Sequence, residues 1–420
     1  MGWSPSGGPR RSSSRKSRPC CDPAPRGRGS SGPGRWRASR GRARSTTSLA
    51  GLGALHCVYT YVAYPWIVSL LPARPPRPRA GPAPRLVSIV IAARDPGAPV
   101  AAKVGELLGT VSLDCEIVVV LDGPDPAALA ALAEVADDRI KVRALERPQG
   151  KAAALNHAVA MARGDVLVFT DVRQRVARGA VEHLVAELGS PDVGVVSGSL
   201  DIASSRGSDG LYDRYWRFER WLRMREAAWD SAVGVSGALY ALKRELWSPL
   251  PPGLLLDDVW VPLQVVRGGK RVGFAPLAVA TDVRSGSDAT ELARKVRTLT
   301  GNYQLIAWMP WVLHPGKNRL WWQFISHKVL RLLTPLAGCC LLGGLLLVLG
   351  PWVGVVGAAG VTLPWMIRPA VVPGGGLLRV ARSAAALLVA LVVAALNAAR
   401  GRWDVWSDPA RPTFADHGDG

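Results

Sequence analysis

The chain reads as an α/β protein: helices layered on a mostly parallel sheet, with transmembrane helices before and after that domain. Three observations predict this. Between residues 86 and 300, short Val/Leu-rich runs alternate with helix-length stretches, the pattern of βα units around a parallel sheet. Charge-free apolar stretches flank the region, long enough to span a bilayer. Finally, VVVLDGPD (118–125) and VFTDVRQ (168–174) each place an aspartate at the end of a buried-strand run. A parallel strand covered on both faces exposes polar groups only at its carboxyl edge, where ligands sit in open α/β sheets.

In chain order, residues 1–47 are a Ser/Arg/Gly/Pro tract with almost no aliphatic content, too poor in apolar surface to offset chain entropy, and are predicted to be disordered. Residues 48–71 form a predicted transmembrane helix with interfacial Tyr59, Tyr61, Tyr64 and Trp66. A Pro/Arg linker follows over 72–85. The soluble domain is expected over 86–314. Its strands are LVSIVIAA, EIVVVLD, IKVRAL, DVLVFTD, VGVVSGSL and RVGFAP, and its helices lie near 99–109, 126–136, 150–163, 178–188 and 211–229. The Trp-rich, basic stretch 315–331 suits an interfacial helix. Residues 332–400 hold two to three further spans, near 332–350, 352–367 and 383–398, and 401–420 is a tail. The loop with Arg368, Arg379 and Arg382 marks a cytosolic side.

The net charge of +20 resembles a nucleic-acid signal until it is divided along the chain. Residues 1–50 carry twelve Lys/Arg against one acid, and much of the remaining excess lies beside apolar segments. Nucleic acid is therefore not expected as a partner. Six cysteines in two adjacent pairs and two singles fit neither a disulfide framework nor a zinc spacing. The six histidines are scattered, and no nucleophilic triad or dinucleotide fingerprint is present.

Four stretches carry the chemistry. Asp122 and Asp171, at the ends of two predicted strands, are expected to meet at one crevice, with Gly150-Lys151 arriving between them. A lysine at a helix start favours phosphate, and hard divalent cations prefer carboxylate oxygens. The set suits a nucleotide diphosphate with a cation, hence an activated sugar. Asp257-Asp258 lies in LLLDDVW (254–260), and Arg294-Lys295-Val296-Arg297 follows. Plainer readings exist: a turn-forming Asp122-Gly123 and Asp258 as a helix N-cap.

Together these motifs resemble the inverting, membrane-embedded glycosyltransferases of family 2, which have a Rossmann-like GT-A fold and include cellulose, hyaluronan and poly-N-acetylglucosamine synthases. The likeness spans about residues 50–405 and implies a multi-pass protein of the cell (inner or plasma) membrane with its catalytic domain cytosolic. It implies a nucleotide sugar, UDP-linked, as donor, held by Ala93 and Asp95 in the first turn, Asp122, Lys151, Asp171, Arg294 and Arg297. It further implies Asp258 as the base with Asp257 beside it, Gly237 in a small-residue turn near the acceptor, and a divalent cation (Mg or Mn) on Asp171. The acceptor would be a polysaccharide or a lipid-linked sugar, with room for an export partner.

The chain departs from the family pattern at two points. Arg173 replaces the second acid of Asp-x-Asp, and Thr298 replaces the Trp expected after Arg297. The second departure leaves open a non-processive enzyme that adds one sugar to a lipid, and a catalytically silent scaffold is a third reading. A cytosolic domain puts the N-terminus outside, against the bias set by the basic tail. The tail is therefore expected to lie upstream of the working protein, with translation starting nearer the first span.

Overall fold

The computed structural model describes residues 48–74, 83–203, 211–283, 288–350, 352 and 376–405. The expected basic tail, most of the linker, most of the stretch 352–367 and the end of the chain lie outside them.

Strand β1 (Val87–Ala93) lies between β2 (Cys115–Leu121) and β4 (Val166–Thr170), with β3 (Ile140–Ala144) outside β2, all parallel. Every residue of β2 and β4 is buried, which is why these strands read as unbroken apolar runs. Helices α2 (Pro99–Thr110), α3 (Pro126–Ala133), α4 (Lys151–Met161) and α5 (Ala180–Leu188) fall close to their predicted places. Asp125 heads α3, accepting from Ala128 N at 2.9 Å, and also holds Gly97 N at 2.9 Å.

The second half of the sheet differs from the expected parallel arrangement. Strand β7 (Leu239–Lys243) runs antiparallel to both β4 and β6 (Val193–Ala203), and β5 (Arg175–Val176) runs antiparallel to β8 (Arg271–Val283). The order β3-β2-β1-β4-β7-β6-β8-β5 is thus a mixed sheet. Register shifts between Val193/Val195 and Ser197/Ser199 interrupt the β6–β8 ladder, and such irregularities bend a sheet. Strand β8 also runs well past the predicted RVGFAP.

Gly164 brings its loop across β1. A Cβ there would lie 2.6 Å from Ser88 N and 2.7 Å from Leu86 O, while Gly164 N donates to Ser88 Oγ at 2.8 Å. Backbone atoms cannot yield as a side chain can. Gly164→Ala is expected to destabilise the fold by about 1–3 kcal/mol; chemical unfolding curves matching wild type would contradict this.

The flanking helices form a separate layer. Helix α1 (48–70) contains a π-turn at Tyr59–Ala63. Helix α6 (Leu211–Trp229) and the bent helix α9 (321–332, with a π-turn at Ile325–Val329) pack with it. Glu226 of α6 accepts from Tyr64 Oη at 2.5 Å and faces His327 Nδ1 at 2.8 Å. Glu219, two turns earlier, meets His327 Nε2 at 3.2 Å and Arg331. Helix α10 (Thr334–Leu349) crosses α1 through glycines: Cβ atoms at Gly53 and Gly344 would reach Leu341 N at 2.7 Å and Ala50 N at 2.6 Å.

Helix α8 (Asp288–Trp308) follows β8 and packs against α11 (Gly376–Ala399). Among the described residues no single helix is long and apolar enough to cross a membrane. The pair Trp321–Leu332 and Thr334–Leu349, bent by 58°, is so as a unit, and Ala385–Ala399 is a shorter apolar helix. The expected first span is helical over 48–70.

Candidate functional site

Asp122 follows β2 and is buried. Its carboxylate accepts from Gln149 N at 2.6 Å and Gly150 N at 3.0 Å. It thus shapes the loop between β3 and α4, and Gly150 takes φ 93°, open to glycine without strain. The next residue, Lys151, opens α4. Its Nζ lies 3.3 Å from Asp171 Oδ1, just past β4, and 3.6 Å from Asp257 Oδ1. Burial works against the ammonium, but Asp171 and then Asp257 outweigh it and hold its proton above the usual lysine range.

Asp257 and Asp258 occupy the first turn of α7 (Asp257–Arg267), and neither side chain caps the helix. The plainer N-cap reading of Asp258 therefore does not apply. Burial, followed by the adjacent charge of Asp257, raises the proton affinity of Asp258, against the pull of Lys328, Lys151 and Arg297. Helix α8 fixes the preceding loop. Gln304 Oε1 accepts from Leu255 N and its Nε2 donates to Gly253 O, both at 2.9 Å, and Arg297 Nη2 donates to Leu255 O at 3.3 Å. Gly301 admits Leu256, whose Cγ would stand 2.5 Å from a Cβ there.

The turn before β7 lies against the acid pair. Val235 N donates to Asp258 O at 2.9 Å, and a Cβ on Gly237 would reach Asp258 Oδ2 at 3.6 Å. Asp122, Lys151, Asp171, Asp257, Asp258, Gly237 and Arg297 thus form one connected set. Arg294 is one turn before Arg297 on α8. Ala93 borders the set: its carbonyl accepts from Asp122 N at 2.7 Å. Asp95, at φ 47° with its side chain 71% exposed, joins the set through no described contact.

Arg173 turns away to Asp282 of β8, 2.7 Å from its Oδ2, where Gln174 Nε2 also donates at 3.2 Å. Buried Lys103 of α2 donates to Gln174 O at 2.5 Å, and Glu106 accepts from Val176 N at 2.6 Å. These side chains hold the segment after Asp171, and the sequence offers no local signal for any of them. The fit to a divalent ion is narrow. Among the described residues no group of three His, Cys, Asp or Glu is placed to hold a metal, and the Lys151 ammonium already lies between Asp171 and Asp257. Asp171, whose side chain is 40% exposed, would be the protein ligand of such an ion, with phosphate oxygens of a bound diphosphate supplying the rest.

The model for Glycosyl transferase family 2 matches residues 88–245, ending before the acid pair. No curated protein matches the chain. Among solved structures, mannosyltransferase PcManGT from Pyrobaculum calidifontis, in complex with GDP-Man and Mn2+, is 20% identical, with a TM-score of 0.66 over 84% of this chain and 99% of that one. GalNAc-T7 with UDP, GalNAc and Mn2+ is 17% identical, at 0.40 over 53% of this chain and 48% of that one. Glucosyl-3-phosphoglycerate synthase from Mycobacterium tuberculosis, with phosphoglyceric acid, is 19% identical, at 0.40 over 53% and 79%. The first likeness establishes an α/β fold of the GT-A kind; the other two are too distant to add to it.

Proposed function

We propose that this chain is a membrane-bound, inverting glycosyltransferase that moves a sugar from a nucleotide-sugar donor, UDP-linked in the reading the sequence favours, to a polysaccharide acceptor. The observation that carries it is the junction of Lys151, Asp171 and the Asp257-Asp258 pair beside the Gly237 turn. Lys151, Arg294 and Arg297 neutralise the diphosphate, the arginines having the planar fork suited to it. The acceptor hydroxyl enters past Gly237, and Asp258 takes its proton. The new glycosidic bond forms as the bond to the nucleoside diphosphate breaks on the opposite face. A divalent ion bound with the donor would supply further neutralisation of phosphate charge at Asp171.

The membrane reading is supported by apolar side chains left outward on adjoining helices, including Leu52 and Leu55 of α1 and Leu336 and Leu347 of α10. In this reading the catalytic domain is cytosolic. A second reading, one sugar added to a phosphate-bearing lipid, is favoured by Lys328. This cation acts on Asp258 yet makes no hydrogen bond or ion pair among the described residues. Membranes given labelled UDP-glucose, UDP-N-acetylglucosamine and GDP-mannose, beside an Asp258→Asn control, test both. Long polymer supports the first reading and a single-sugar lipid the second; equal label in the control removes both.

Lys151→Gln shortens the side chain by one atom and deletes the charge between Asp171 and Asp257. Affinity for the nucleoside diphosphate is expected to fall roughly 10- to 100-fold, the loss of one charged hydrogen bond. Calorimetric titration with the diphosphate measures this; unchanged affinity would remove Lys151 from the donor site.

A further inference from the structure

We propose that Asp122 is a positioning residue for Lys151: its carboxylate fixes the loop from which α4 starts, and it reads neither the base nor the ribose of the donor. This role rests on the nucleotide-sugar reading proposed above. It deepens that reading by separating residues that grip the diphosphate from those that select the nucleoside. The sequence places Asp122 among the groups that touch the donor; the hydrogen bonds place it behind one of them.

Asp122 stands at the carboxyl end of β2 and is 4% exposed. Its Oδ1 accepts from Gln149 N at 2.6 Å and Gly150 N at 3.0 Å, and its Oδ2 from Gly150 N, also at 3.0 Å. A base or ribose would have to reach a carboxylate that is sealed from solvent and already engaged on both oxygens. The loop needs this anchor. Glu146, Arg147, Pro148 and Gln149 are exposed, so side-chain burial does not hold it. The last sheet bond before it is Leu145 N to Leu121 O at 3.0 Å, and the first helical bond after it is Ala154 N to Gly150 O at 3.1 Å. Between them, the N–H groups of Gln149 and Gly150 have no other partner among the described residues. Hydrogen bonds to a charged acceptor are the stronger kind, and negative charge just ahead of a helix suits its dipole. Gly123 adds a second contact: at φ 125°, a Cβ there would stand 3.1 Å from Pro148 Cγ. Both residues of the Asp-Gly turn thus face the same loop.

Lys151 directly follows the pinned amide. Gly150, at φ 93° and ψ 159°, sets the direction in which α4 leaves the loop. The Lys151 ammonium then lies 3.3 Å from Asp171 Oδ1 and 3.6 Å from Asp257 Oδ1. Moving the Gln149–Gly150 backbone moves the start of α4, and with it the ammonium relative to both carboxylates. A diphosphate is common to donors with any base. The influence of Asp122 is therefore the same for all of them.

Asp122→Asn keeps the shape of the side chain and replaces a charged acceptor with an amide. Calorimetric titration of the full chain in detergent with UDP, GDP and pyrophosphate is expected to show one common loss of affinity, roughly 5- to 20-fold. In a Lys151→Gln background the same change should cost less than about twofold. Undiminished pyrophosphate affinity, or a changed UDP-to-GDP ratio, would mark a reader of base or ribose and overturn the proposal. Losses that multiply in the double variant would overturn it too, because a merely structural defect adds to that of Lys151→Gln. Hydrogen exchange in the ligand-free protein reads the anchor directly. The Gln149 and Gly150 amides should exchange about tenfold faster in Asp122→Asn, and equal exchange would overturn the proposal. Faster exchange in a protein whose wild type binds neither nucleotide would sink the nucleotide-sugar reading and leave the anchor standing. If Asp122→Asn fails to fold, Gly150→Ala strains the pinned backbone with the carboxylate intact. It should weaken UDP, GDP and pyrophosphate by one factor; a base-dependent loss, or none, overturns the proposal.

Discussion

Asp258→Asn is expected to lower the rate of sugar transfer by about 10³-fold, within the range typical of losing a general base, with donor affinity near wild type. The amide keeps the shape of the side chain beside Gly237 but cannot take the proton from the acceptor hydroxyl. Donor affinity should survive because, in the proposed site, Lys151, Arg294 and Arg297 would meet the diphosphate independently. The wild-type profile should fall on the acid side, with its limb above the ordinary aspartate range, since burial and Asp257 raise the proton affinity of Asp258. Initial rates with labelled donor, set beside calorimetric donor binding, measure both quantities. A variant that keeps a tenth of the rate would exclude Asp258 as the base.

Glu219→Gln should have the largest effect on stability, about 3–5 kcal/mol, the cost of breaking a buried ion pair by removing one partner. Glu219 faces Arg331 and His327, and His327 in turn faces Glu226, which also accepts from Tyr64. The amide would leave the Arg331 charge buried without its counter-ion and loosen the join of α1, α6 and α9. The pH dependence has a definite sign. Burial raises the proton affinity of Glu219, but Arg331 and His327 outweigh it and hold the carboxyl well below its ordinary value. Its contribution is therefore present above the unfolded glutamate value, about 4.3, and is lost as pH falls towards the lower folded value. Urea unfolding in detergent at neutral and acid pH should show a gap between variant and wild type that narrows in acid. A gap under about 1 kcal/mol at neutral pH would show that these charges contribute little net stability, as exposed pairs do.

The parallel half of the sheet was legible because burial on both faces writes a strand as an unbroken apolar run, as in Cys115–Leu121 and Val166–Thr170. Strand β7 was not. Leu-Tyr-Ala-Leu-Lys has no alternation or turn chemistry to mark it, and it is a strand because β4 and β6 offer it ladders on both sides. That insertion, unseen in the sequence, makes the sheet mixed. The long helix bearing Arg294 and Arg297 was likewise missed, although its arginines were picked out as a motif.

Within the site, residue type and order named Asp122, Lys151, Asp171, Asp257 and Asp258, because carboxylates after apolar runs and a lysine after a glycine stand out locally. What each does was decided elsewhere in the chain. Asp122 spends its carboxylate on a loop 27 residues away, and Arg173 reaches Asp282 across 109. Gln304 secures the loop before the acid pair, and it does not stand out in its own stretch of sequence. Apolar periodicity and strand-end acids are set by neighbouring residues, so the sequence alone determined the α/β class and the chemical character of the candidate site. Hydrogen-bond partners and shifted proton affinities depend on which distant groups burial brings within a few ångströms, and only the tertiary structure decided those.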